Sequence, residues 1–117
     1  MLRRWLDKLG KKPALVKGAG RLPEGTAKKI TFGDPIAGAG QEVILCRVEG
    51  TLHALDVMCP HEGGRIIEGP LMEGKYAVCP LHQYAFEPKT GKVINAVCKS
   101  AKTFRVREVD GDAEIWL

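Results

Sequence analysis

Two short segments constrain this chain more than any other feature. "CPHEGG" spans residues 59–64 and "CPLHQYAF" spans residues 79–86, and each sets one cysteine close to one histidine. The order is Cys59-x-His61, then seventeen residues, then Cys79-x-x-His82. Two such pairs on separate segments make chemical sense where the fold brings the segments together as facing loops. Pro60 and Pro80 follow the cysteines and stiffen both loops. Gly63 and Gly64 let backbone come close to whatever the loops enclose.

At 117 residues there is room for one small domain. The longest apolar runs, such as "EVILCRV", are far short of the ~20 residues that cross a bilayer. No apolar signal core follows the basic start, so a cytoplasmic location is expected. In that reducing setting the four cysteines, Cys46, Cys59, Cys79 and Cys98, favour metal binding for at least some of them over two disulfides. Charge is uneven: residues 1–30 hold nine Lys/Arg against two acids, and residues 31–117 hold nine against twelve. The basic groups thus gather in the tail while the remainder is slightly acidic, which argues against nucleic-acid binding.

Leu2, Trp5, Leu6 and Leu9 recur at helical spacing and Gly10 follows, which predicts a short amphipathic N-terminal helix. Its basic, apolar make-up suits packing on its own domain, a solvated tail, or contact with an acidic partner or a membrane surface. Mixed Pro, Gly and Lys then read as a linker or surface segment, giving a basic N-terminal region over 1–28 and a folded domain over 29–117. From there strand patterns follow one another: "KITF", "QEVILCRV", a Glu49-Gly50 turn, "TLHALDVM", "KYAVC", a hairpin through "YAFEPKTGKVIN", then "KTFRVREV" and "AEIWL" around "DGD". The expected class is all-β, short antiparallel strands in stacked sheets or a partial barrel. Cys46 alternates with Ile44 and Val48 and reads as core. His53 reads as an ordinary strand side chain, and a Cys46–Cys98 disulfide is not expected in a reducing compartment.

Zinc knuckles usually pair like ligands, two cysteines and then two histidines, whereas here each half mixes a thiolate with an imidazole. A binuclear iron cluster explains the mixture if both cysteines take one iron and both histidines the other. With this two-box pattern, the chain from about residue 30 onward resembles a Rieske-type [2Fe-2S] ferredoxin domain, and the resemblance implies Cys59, His61, Cys79 and His82 as ligands. Two thiolates would cancel the positive charge of the oxidised core, so reduction is easier than in an all-thiolate cluster. The potential should fall within roughly −150 to +300 mV.

Relatives in respiratory complexes carry an extra cysteine in each box, joined as a disulfide, together with a serine and a tyrosine that donate to the cluster. Here Leu81 replaces the second extra cysteine, and Tyr84 and Phe86 stand at the hydroxyl positions, so the resemblance implies a centre low in that window. Gln83 stands where many relatives have glycine. A terminal oxygenase would further need a mononuclear iron on two histidines and a carboxylate. Only His53 is left over, so the chain reads as an electron carrier and not as an enzyme by itself. The resemblance implies electrons arriving from an NAD(P)H-dependent flavoprotein reductase and leaving to a terminal oxygenase. The alternatives are a Rieske-like small subunit of an assimilatory nitrite reductase or other multi-subunit oxidoreductase, and a zinc-stabilised interaction module. Removal of residues 1–25 is expected to preserve the cluster.

Overall fold

The computed structural model describes residues 12–33, 40–60 and 64–117. Among the described residues nine strands follow in order: β1 Ala14–Val16, β2 Thr26–Phe32, β3 Gln41–Val48, β4 Thr51–Asp56, β5 Gly69–Pro70, β6 Ala77–Cys79, β7 Tyr84–Phe86, β8 Thr103–Val109 and β9 Asp112–Trp116. One turn of 3-10 helix, Ala19–Arg21, separates β1 from β2. Seven strands form one antiparallel sheet in the order β1-β9-β8-β4-β3-β2-β5, while β6 and β7 pair as a separate hairpin. The all-β expectation therefore holds. The helix expected within residues 1–10 lies outside the described residues.

Local chemistry sets the long hairpins. Glu49 and Gly50 both have positive φ, at 52° and 77°, as do Asp110 and Gly111, at 50° and 81°. Two successive left-handed residues make the tight turn whose twist matches paired antiparallel strands. Val48 accordingly faces Thr51, and Val109 faces Asp112.

β3 runs through the middle of the molecule with both faces covered. Ile44 and Cys46 join one buried cluster with Leu55, Cys59, Leu71, Cys79 and Phe86, and Val43 and Leu45 join another with Leu52, Phe104 and Ile115. Period-two alternation divides a single strand between two cores. Cys46 is fully buried, as its alternation predicts, and burial pushes its thiol up to about 12. Cys98 is exposed, and neither Cys46 nor Cys98 is in a disulfide.

Residues ahead of Lys29 also take part in strand pairing. β1 pairs with β9 from Ala14↔Ile115 to Val16↔Ala113, and β2 already begins at Thr26. The intervening residues are held by Arg47, whose Nε donates to the Leu22 carbonyl at 2.7 Å and whose Nη2 donates to the Gly20 carbonyl at 3.1 Å. The same guanidinium bonds both carboxylate oxygens of Glu108 on β8, at 3.0 and 3.3 Å. Pro, Gly and Lys hid this region because its order comes from a distant arginine and a three-residue edge strand, not from a local period.

The expected hairpin through residues 84–95 is half a ladder. Val93 bridges to Phe86, but residues 94–98 bend away without forming a strand.

Candidate metal centre

The described residues on either side of each cysteine-histidine segment pair antiparallel. Beyond β4, Ile66 N–H donates to the Val57 carbonyl and Cys59 N–H to the Gly64 carbonyl, both at 2.8 Å, with Met58 bridging Arg65. These bonds close the first loop around residues 59–64. An ion pair braces its exit: Arg65 reaches Glu42 on β3 at 2.6 Å, with Lys29 3.5 Å from the other oxygen. Both cations hold the Glu42 carboxyl below its ordinary range, the Arg65 hydrogen bond being the larger cause.

The second loop is the connection of the β6–β7 hairpin, in which Cys79 pairs with Tyr84 across residues 80–83. The two loops are stitched together, because Ile67 N–H donates to the Val78 carbonyl at 3.0 Å. Cys59 and Cys79 consequently fall in the same buried cluster, at 4% and 0% exposure. His82 lies on the exposed part of its turn, its ring centroid 5.6 Å from that of Tyr84 and tilted by 54°. His61 and Gly63 lie outside the described residues, and among the described residues no three His, Cys, Asp or Glu side chains gather on one point.

The surroundings suit a group with sulfur at its buried side. A Cβ placed on Gly64 would stand 2.5 Å from the Cys79 Sγ and 3.3 Å from Leu81 Cβ, so the absence of a side chain there clears the space beside the thiol. Two buried thiols with an imidazole at the surface form a donor set that is soft inside and neutral outside, which matches an iron-sulfur core at the edge of a domain.

A family model described as the Rieske [2Fe-2S] domain matches residues 13–108. The chain belongs to the Rieske [2Fe-2S] domain family. That family implies a Rieske-type [2Fe-2S] cluster. Within it, the chain is 33% identical over 108 residues to the ferredoxin component of a naphthalene 1,2-dioxygenase system of Pseudomonas aeruginosa, covering 92% of this chain and 89% of that one. It is 42% identical over 69 residues to the corresponding component of Pseudomonas putida, covering 58% of this chain and 65% of the relative.

Among solved structures, a complex of reduced oxygenase and oxidized ferredoxin in carbazole 1,9a-dioxygenase matches at a TM-score of 0.71 and 25% identity, over 87% of this chain and 90% of that one. The small subunit of a putative NADH-dependent nitrite reductase of Mycobacterium tuberculosis matches at 0.62 and 19% identity, over 87% and 91%, a likeness of fold alone. The Rieske match starts at residue 13, just ahead of β1.

Three features of this Rieske site went unread in the sequence. Glu42 and Arg65 are 23 residues apart and meet only through the fold. Gln83 adopts a positive φ of 56°, which gives a physical reason for the glycine common there, and its Nε2 donates to the Pro80 carbonyl at 3.2 Å. Asn95 bonds the backbone on both sides of Tyr84.

His53 sits apart from the site. It faces Cys46 across β3 and β4 and lines a polar hollow of about 610 Å³ with Glu49, Lys75, Tyr76, Glu87 and Lys89. Burial, seconded by Lys89, lowers its pKa from 6.5, while Glu87 and Glu49 pull it the other way.

Proposed function

We propose that this chain is a one-electron carrier in which Cys59, His61, Cys79 and His82 hold the [2Fe-2S] cluster, with Cys59 and Cys79 at its buried side and His82 toward the surface. The observation that carries this reading is the contrast between the buried Cys79 and the exposed His82, three residues apart on one turn. When bound, the cluster supplies reversible uptake of a single electron. The chain's residues do the rest: the cysteines anchor in the core, the proline-stiffened loops hold their spacing, and the His82 turn gives a partner access at the rim.

Leu81 and Met58 beside the two loops, with Ile94 and Val97 on the segment after β7, are exposed apolar side chains. A surface of this kind suits a transient redox encounter, which buries little area and must release quickly. Phe86 is fully buried and has no hydroxyl to donate, and Leu81 stands where the respiratory relatives have their extra cysteine, which supports a low potential for the class.

The donor in this proposal is an NAD(P)H-dependent flavoprotein reductase, and the acceptor is a terminal oxygenase, the system to which the similar ferredoxin components belong. The setting is the cytoplasm, and among the described residues no helix is long and apolar enough to cross a membrane. Cluster-loaded protein mixed with a dioxygenase-system reductase and NADH should bleach in the visible, then recover its colour when the matching oxygenase and oxygen are added. Bleaching without recovery, followed by recovery with a nitrite-reducing enzyme and nitrite, would favour the small-subunit reading. Purified protein containing zinc and no acid-labile sulfide would remove the redox reading altogether.

A further inference from the structure

Beyond β7 the chain turns and comes back antiparallel. Glu87 N–H donates to the Lys92 carbonyl at 2.8 Å, and Ile94 N–H donates to the Ala85 carbonyl at 2.9 Å. A continuing strand would next present backbone groups to Ala85 and Gln83, but residues 94–98 bend away. The Asn95 side chain takes over that role. Its Oδ1 accepts from the Ala85 N–H at 3.0 Å, and its Nδ2 donates to the Gln83 carbonyl at 2.8 Å. A carboxamide alone among short side chains carries a donor and an acceptor fixed side by side, as this pairing needs.

The bond to Gln83 matters because Gln83 is strained. A non-glycine residue holds φ +56° only where its surroundings over-determine it. Here the Gln83 side chain ties back to the Pro80 carbonyl while its own carbonyl is tied to Asn95. His82 lies inside the segment so fixed, and that backbone sets where its Cα–Cβ bond points.

We propose that Asn95 is a positioning residue for His82, setting its ring through the Gln83 peptide; this rests on reading His82 as a cluster ligand. The test compares Asn95→Ala and Asn95→Asp with the wild type, all cluster-loaded, by EPR of the reduced protein and by amide hydrogen exchange. Asn95→Ala should shift the g-values, and should speed exchange in residues 80–87 roughly five- to tenfold, as loss of an ordinary hydrogen bond does. Exchange across β3 and β4 should stay as in the wild type. Asn95→Asp keeps the acceptor for Ala85 but loses the donor to Gln83, so it should protect Ala85 and still shift the g-values.

Loss of the cluster from Asn95→Ala with β3 and β4 still protected supports the proposal. Loss accompanied by fast exchange throughout the sheet overturns it, since Asn95 would then serve folding in general. Unchanged g-values in Asn95→Ala also overturn it. A wild-type signal of four-thiolate type would instead remove the ligand reading beneath it, so the two failures are distinguishable.

Discussion

Gly64 and Cys79 stand so close that a Cβ on the glycine would lie 2.5 Å from the cysteine Sγ. The contact joins the two loops at the point where one carries a thiol and the other carries none of its own side chain. Gly64→Ala should therefore expel the cluster, with iron and sulfide per chain falling to a small fraction of wild type, while the sheet keeps its far-UV signature. Full iron content in this variant would show that the loops have slack that the geometry does not reveal.

The exposed and half-buried histidines should respond differently to truncation. His82→Ala should lose the visible absorption or nearly so, and His53→Ala should leave it unchanged, because His53 faces Cys46 and the polar hollow and not the loops. Equal losses in both would mean that His53 had been misread.

His53 should instead mark the acid limb of stability. Its folded pKa lies below the ordinary 6.5, so the unfolded chain binds the proton more readily. Its contribution is fully present above pH 6.5 and is lost as pH falls from there through the folded value. Urea midpoints across this window should be flatter for His53→Gln than for wild type; identical slopes would assign the sensitivity to other groups.

Arg47 connects residues 20–22 to β3 and β8 with a side chain that is 12% exposed. Arg47→Ala should cost about 1–3 kcal/mol in urea unfolding, since two part-buried carbonyls and Glu108 lose their partner together. For the same reason removal of residues 1–25 takes away β1 and the acceptors at Gly20 and Leu22, and should lower the unfolding midpoint. The sequence leads one to expect that the truncated protein keeps its cluster; an unchanged midpoint would show that β1 adds little to the sheet.

The long strands were legible because their signals are local. β3 carries a continuous apolar run, Glu49-Gly50 and Asp110-Gly111 are turn chemistry, and Cys46 shares a face with Ile44. The cysteine-histidine spacing carried the family for a similar reason, since ligand type and separation are written directly in the chain. What stayed hidden depends on long-range partners. β1 is three residues long and exists through β9, Arg65 finds Glu42 only in the fold, and Asn95 substitutes a side chain for a strand the pattern seemed to promise. None of these has a period or a motif.

The central claim is mixed thiolate and imidazole ligation by Cys59, His61, Cys79 and His82, and EPR of the reduced protein tests it most directly. Reduced protein should show one unpaired spin per chain with the low average g of a [2Fe-2S] cluster bearing two histidines. A signal of the four-cysteine type, or no signal from a protein that contains zinc, would contradict it.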